Sequence, residues 1–150
     1  MEKGPINHNQ ITLKIGRCNK LKTLTEELLK THLHGNMQVF RHHIYEYQKG
    51  LRHLILHTTS QCFEDEIISL LEKKRIDYLI QPASGKKINV FFGDRRCIEV
   101  LNRIGRKNLS RFTDEEDFIL GIMLGYDRLK QCERYLERKN KNGIIEPLVG

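Results

Sequence analysis

The chain has 150 residues, 39% hydrophobic and 30% charged, with a formal charge of +7. That is room for one domain and a modest appendage, with a core large enough to need no disulfide or metal staple. No apolar run approaches the ~18 residues of a membrane span, and the N-terminus offers no apolar signal segment, so a cytoplasmic protein without a membrane partner is expected.

Residues 1–22 show no sustained period, and Gly4, Pro5, Asn7 and Asn9 read as loose chain. Thr23 and Glu26 have capping-box spacing ahead of Leu24, Leu28 and Leu29, which predicts a short helix ended by Gly35. Residues 1–36 therefore read as a partly flexible appendage, or an over-extended gene start. They precede a single α+β domain over 37–140 and a flexible tail over 141–150.

Within that domain Phe40, Ile44, Tyr47 and Leu51 recur at helical spacing, and Lys49-Gly50 stops the helix. Leu51 to Thr58 reads as a half-buried strand. Ser60 caps a helix with Phe63, Ile67, Ile68 and Leu71 inward and Glu64, Asp65 and Glu66 in its first turn, where the dipole favours acids. Asp77 to Gln81 is a second strand, Pro82 to Gly85 a hairpin turn, and Lys87 to Phe92 a third strand with Ile88, Val90 and Phe92 on one side. Asp94 caps a helix with Ile98, Leu101 and Ile104 inward. After a basic loop, Thr113 to Tyr135 reads as one long helix with capping-box spacing at Thr113 and Glu116.

This order is β-α-β-β-α between a preceding short helix and a long C-terminal helix. A right-handed crossover with the third strand inserted between the first two predicts a small three-stranded mixed sheet of order 1-3-2. That is a ferredoxin-like sheet lacking its last strand. Strand 51–58 then lies at an edge, which something must cover.

The long helix poses the sharpest question. Phe118, Ile122, Leu129, Cys132 and Leu136 make an apolar stripe, widened by Ile119, Met123 and Tyr126. Gly121 and Gly125 leave one strip of backbone bare at ~1 kcal/mol each relative to Ala, which suggests close helix packing within the chain or a dimer face that includes Tyr126. Gln131, Arg134, Tyr135 and Arg138 continue as a polar and aromatic surface suited to contacts. Glu115, Glu116 and Asp117 are accounted for as first-turn dipole and capping residues.

Other residue clusters carry less. Cys18, Cys62, Cys97 and Cys132 lack the close spacing of a zinc or dithiol motif and read as reduced thiols. Six of the seven histidines lie between residues 32 and 57. His53 and His57 would sit ~13 Å apart on a strand, and His42 and His43 diverge, so no metal site and no cofactor is expected. Arg95 and Arg96 stand in a helix first turn, against the dipole, with Glu99 in pairing reach. Together with Arg103, Arg106, Lys107 and Arg111 they form the densest basic stretch. Residues 37–112 carry 14 basic and eight acidic groups, against six basic and eight acidic in 113–150. That asymmetry favours an acidic partner or a self-complementary dimer. Nucleic-acid binding would want aromatic interleaving or a known module, and neither is present. No nucleophile elbow, phosphate loop or zinc-hydrolase motif occurs.

Met37 to Leu54, Arg75 to Ile80, Lys87 to Asp94 and Glu116 to Tyr135 together resemble a small bacterial family of unknown function, over about residues 37–139. Its genes lie beside, or are fused to, flavodoxin genes. The resemblance implies three strands with several helices and a homodimer, and it supplies no catalytic residues. The expectation is thus a non-enzymatic homodimeric accessory domain binding an acidic protein, a flavodoxin being the candidate. Arg95, Arg96, Arg103, Arg106, Gln131, Arg134 and Tyr135 would make the contact. The alternatives are a small-ligand sensor for a flavin, haem or metabolite, and an enzyme using His42, His43 or Cys132.

Overall fold

A computed structural model of the chain describes the backbone of residues 8–105 and 108–143, and side chains from residue 23 within those ranges. The chain divides into two compact units, Met1–Arg41 and His42–Gly150. The first is formed by a helix, α1 (His8–Gln48), which continues into the second as one 41-residue element. The expected helix break at Gly35 and the loose chain after residue 8 are therefore absent. Gly35 keeps no left-handed backbone, and a lone glycine costs only ~1 kcal/mol, which the helix formers around it offset. Helix α1 ends where Lys49-Gly50 predicts. Gly50 has φ +71°; its N–H reaches the Tyr47 carbonyl at 2.9 Å, and the Leu51 N–H reaches that of Glu46 at 3.0 Å, a Schellman stop.

The second unit continues with β1 (Leu54–Ser60), a short 3₁₀ turn (Gln61–Phe63), α2 (Glu64–Lys73), β2 (Asp77–Pro82), β3 (Lys87–Gly93) and α3 (Arg95–Ile104). A second 3₁₀ turn (Leu109–Arg111) leads to α4 (Asp114–Met123) and α5 (Arg128–Lys141). The sheet has the expected order β1-β3-β2. Strands β1 and β2 run the same way but are not neighbours, so both ladders are antiparallel and the sheet is not mixed.

Both sheet faces carry buried side chains, although Leu51 to Thr58 reads in sequence as a half-buried strand. Pairing puts Leu54, Leu79 and Phe91 on one face. There they join Ile98 and Leu101 of α3, Phe112, and Leu120 and Leu124 of α4 in one apolar cluster. The opposite face presents Ile55, Val90 and Phe92, all fully buried, while Phe63, Ile67 and Leu71 of the α2 segment are buried outside that cluster. Each such side chain contributes roughly 1.5–3 kcal/mol. Gly93 is where β3 crosses closest to β1: its φ is +148°, and a Cβ there would run into the His53 carbonyl and stand 3.1 Å from the Leu54 Cα.

Candidate interaction surface

The expected helix from Thr113 to Tyr135 is two helices. The start is as predicted: Thr113 Oγ1 accepts the Glu116 N–H at 3.2 Å and Glu116 Oε2 accepts the Thr113 N–H at 2.9 Å, a complete capping box. The interior differs. Gly125 has φ +77°, its N–H bonds to the Ile122 carbonyl at 3.1 Å, and the Tyr126 N–H bonds to that of Gly121 at 3.2 Å. This is the same Schellman stop that ends α1. Asp127 then caps α5, accepting the Lys130 N–H at 2.9 Å. Gly125 is a turn residue, with open space around its Cα. Gly121 is an intrachain packing position: a Cβ there would meet the Gln131 side chain of α5.

Helix α5 folds back along α4, and its cations meet the acidic first turn of α4. Arg134 donates from Nε and Nη2 to Asp117 at 2.8 and 3.2 Å. Arg138 donates to Asp114 at 2.7 Å and lies 3.3 Å from Asp117. Lys139 pairs with Glu115, and the Tyr135 hydroxyl donates to Glu115 at 3.0 Å. The Lys139 bond, with help from the Glu115 backbone and Tyr135, pushes the Glu115 carboxyl down to about 2. The Arg134 bond holds Asp117 below its usual range. Asp114, Glu115 and Asp117 therefore fix the hairpin as well as start the helix. Exposed pairs of this kind contribute ~0.2–1 kcal/mol each, so they select hairpin geometry more than they stabilise it. Arg134 and Tyr135, expected to face a partner, each bond across the hairpin, and Tyr135 also lines the groove outside it.

What the hairpin leaves outside is apolar. Phe118, Ile119, Cys132, Tyr135 and Leu136, with Glu115 at the rim, line an open groove of about 520 Å³. Leu129 and Leu136 are 75% and 58% exposed, and Ile119 is 43% exposed. The sequence pattern marks this stripe, but periodicity cannot tell an inward stripe from an outward one. Around Gly121 lies a second cavity of about 300 Å³, floored by Leu56, Leu109, Leu120 and Leu124 and edged by Tyr126, Gln131 and Arg134.

The arginines of α3 are partly neutralised. Arg96 forks onto Asp94 with two 2.9 Å bonds, and Asp94 also accepts the Arg96 backbone N–H; these bonds depress the Asp94 carboxyl. Arg103 pairs with Glu99 at 2.8 Å, so Glu99 turns to the last turn instead of to Arg95 or Arg96. Arg95 is exposed and makes no ion pair among the described residues. Arg106 lies outside the described residues.

The histidines are partly convergent. His43 sits 3.1 Å from Glu46, which Arg52 also approaches at 3.5 Å. The His43 ring stands edge-on to His57 with centroids 5.5 Å apart. His57 is buried on β1, and burial, aided by His43, lowers its pKa to about 4. No group of three metal-ligating side chains converges among the described residues. Cys62 and Cys132 are exposed free thiols and Cys97 is part-buried; the Cys18 side chain lies outside the described residues. No helix among the described residues is long and apolar enough to cross a membrane.

A three-stranded core carrying an αα-hairpin with an outward apolar groove defines a small α+β domain. Residues 38–138 match a family described as a protein of unknown function, DUF2023, and the chain belongs to that family. No curated protein matches the chain.

Proposed function

We propose that this chain is a non-enzymatic interaction domain that pairs with a second copy of itself through the α4–α5 groove and offers the N-terminal end of α3 to an acidic protein. The observation that carries the reading is the exposed stripe of Ile119, Leu129, Cys132 and Leu136 beside the groove. Apolar side chains in such a row normally mark a contact surface. The stripe is also self-complementary. Antiparallel pairing of α5 with its copy sets Leu129 over the partner's Leu136 and brings Lys130 near the partner's Glu137, a closed two-fold contact.

The acidic partner is supported by the net charge of +7 and by unpaired Arg95. Arg96 and Arg103 add less than their sequence suggests, because Asp94 and Glu99 already hold them. A flavodoxin is the candidate that the sequence resemblance brings forward. Light scattering at micromolar concentration tests the first half: the expected result is a dimer that Leu136→Glu converts to a folded monomer, and a wild-type monomer would overturn it. Calorimetric titration with a flavodoxin at low and high salt tests the second half. Binding should weaken with salt and with Arg95→Glu, mainly through on-rate; no binding at low salt removes this half alone.

A further inference from the structure

Among the described residues, β1 is an edge strand that pairs only with β3. Its backbone polarity is fixed at both ends: the Asp94 N–H donates to His53 O at 2.8 Å and the Gln61 N–H to Lys86 O at 2.9 Å. Antiparallel ladders alternate, so Ile55, His57 and Thr59 point their N–H and C=O groups at β3. Leu54, Leu56, Thr58 and Ser60 point theirs away. Burial follows the same alternation: Ile55, His57 and Thr59 are buried, while Leu56 and Ser60 are part-exposed and Thr58 is exposed. Leu56, Thr58 and Ser60 thus direct their backbone groups along the outer side of β1, where no further strand pairs among the described residues.

The two edges of the sheet are guarded differently. Strand β2 opens on Asp77 and closes on Pro82, two devices that deter edge pairing. Strand β1 reads Leu-Ile-Leu-His-Thr-Thr-Ser, with neither a proline nor a carboxylate, lysine or arginine. Beside Leu56 lies the 300 Å³ cavity under Leu109, Leu120, Leu124 and Tyr126, on the side where a docked strand would project alternate side chains. Basic residues bracket the edge. Arg52, which also approaches Glu46 at 3.5 Å, precedes it, and exposed Lys86 and Lys87 stand beyond its far end, Lys87 directly opposite Ser60.

We propose that the Leu56–Ser60 edge binds an extended segment of a partner protein by strand addition. The segment is β-branched or apolar at its centre, with one side chain in the Leu109–Leu124 cavity, and acidic at its ends. Main-chain bonds supply affinity in this mode, and alternate side-chain pockets supply specificity. A second copy of β1 fits less well, because its Leu54 is buried and its Leu56 already packs against its own core cluster, so neither can fill the cavity. This surface is separate from the groove and from α3, and stands whether or not either half of the proposed function does.

The test is amide exchange and chemical-shift mapping on the full ¹⁵N-labelled chain. The probe is the capped peptide Glu-Val-Thr-Val-Thr-Val-Glu, with a version carrying Lys at both ends for comparison. In the free protein the Leu56, Thr58 and Ser60 amides should exchange fast, and those of Ile55, His57 and Thr59 slowly. The acidic peptide should slow and shift the first set, and the Lys-ended peptide should bind about tenfold more weakly. Thr58→Pro removes an outward N–H and the hydroxyl bond to Asn89, leaves the backbone ladder to β3 in place, and should abolish the response. If that variant does not fold, Thr58→Glu should repel the acidic peptide with the backbone intact. No response at these amides, or equal response to both peptides, would overturn the proposal. Protection already present in the protein alone overturns it as well: a concentration-dependent form would make the occupant a second copy, and a concentration-independent form would make it the chain itself.

Discussion

His57 should make the domain sensitive to mild acid. Unfolded, its imidazole titrates near 6.5; folded, burial and the neighbouring His43 lower it to about 4. Between those values the unfolded chain binds more protons, so stability rises with pH there. The contribution is whole above about pH 6.5 and drains away as pH falls towards 4. From pH 7.5 to 4.5 the loss works out at about 2.5 kcal/mol, at 1.36 kcal/mol per unit of difference. That is a substantial part of the 5–15 kcal/mol typical of a domain. His57→Gln keeps a polar, similarly sized side chain that does not titrate. The variant starts from a lower stability, but its pH dependence should be flatter by that amount. Urea unfolding followed by circular dichroism at pH 7.5 and 4.5 measures the difference. Glu46, whose carboxyl is held down first by its His43 bond and also by Arg52, adds stability that is lost mainly as pH falls below 4.5, and it is common to both proteins, so it cancels. Parallel curves for the two proteins, or an NMR titration placing His57 near 6.5, would refute the reasoning.

The glycines give a ranked set of predictions. Gly93→Ala should cost more than about 2 kcal/mol, because the left-handed φ and the approach of the β1 backbone leave nothing that can move aside. Gly125→Ala should cost about 1 kcal/mol, for its φ of +77° alone. Gly121→Ala should be close to neutral, since the flexible Gln131 end can shift and the helix gains ~1 kcal/mol of propensity. Denaturant melts of the three variants check the order, and a costly Gly121→Ala would show that Gln131 is held in place. Thr113→Ala removes the capping box and should lower stability by about 1 kcal/mol, with no effect on the dimer expected at the groove.

Elements with a local signal were legible in the sequence. Asp94 and Thr113 announce their helices by capping chemistry, Lys49-Gly50 announces a stop, and the strand order follows from connection handedness. The break at Leu124-Gly125 uses the same Schellman bonds as Lys49-Gly50, yet it was masked. Apolar residues continue at helical spacing through it, because α4 and α5 both show an apolar side to the same groove. Gly35 misleads in the opposite sense: a glycine where a stop was expected, inside an unbroken helix. Whether a glycine adopts positive φ depends on what the next residues can pack against, and composition does not carry that. The hydrogen bonds between α4 and α5 span 17 to 24 residues, beyond the reach of any local pattern. They engage the Arg134 guanidinium and the Tyr135 hydroxyl, while Tyr135 still lines the groove.

The break also changes the surface that the two C-terminal helices present. A continuous helix from Thr113 would have offered one long face with two bare glycines, suited to close helix–helix contact. Folding it back uses Gly125 for the turn and fills the space at Gly121 with Gln131, so no bare strip remains. In exchange, the apolar stripe becomes the two-walled groove of Phe118, Ile119, Cys132 and Leu136. A groove admits a protruding side chain, where a flat glycine strip admits only backbone. Leu129, at 75% exposure on the same helix, is the protrusion that a second copy could bring to it. Leu129→Ala should therefore weaken self-association about as strongly as a change within the groove, while leaving the melting transition near its wild-type position. Dimer dissociation measured by sedimentation across a concentration series decides this. A Leu129→Ala protein that still dimerises like wild type would move the seam elsewhere, even if Leu136→Glu disrupts it.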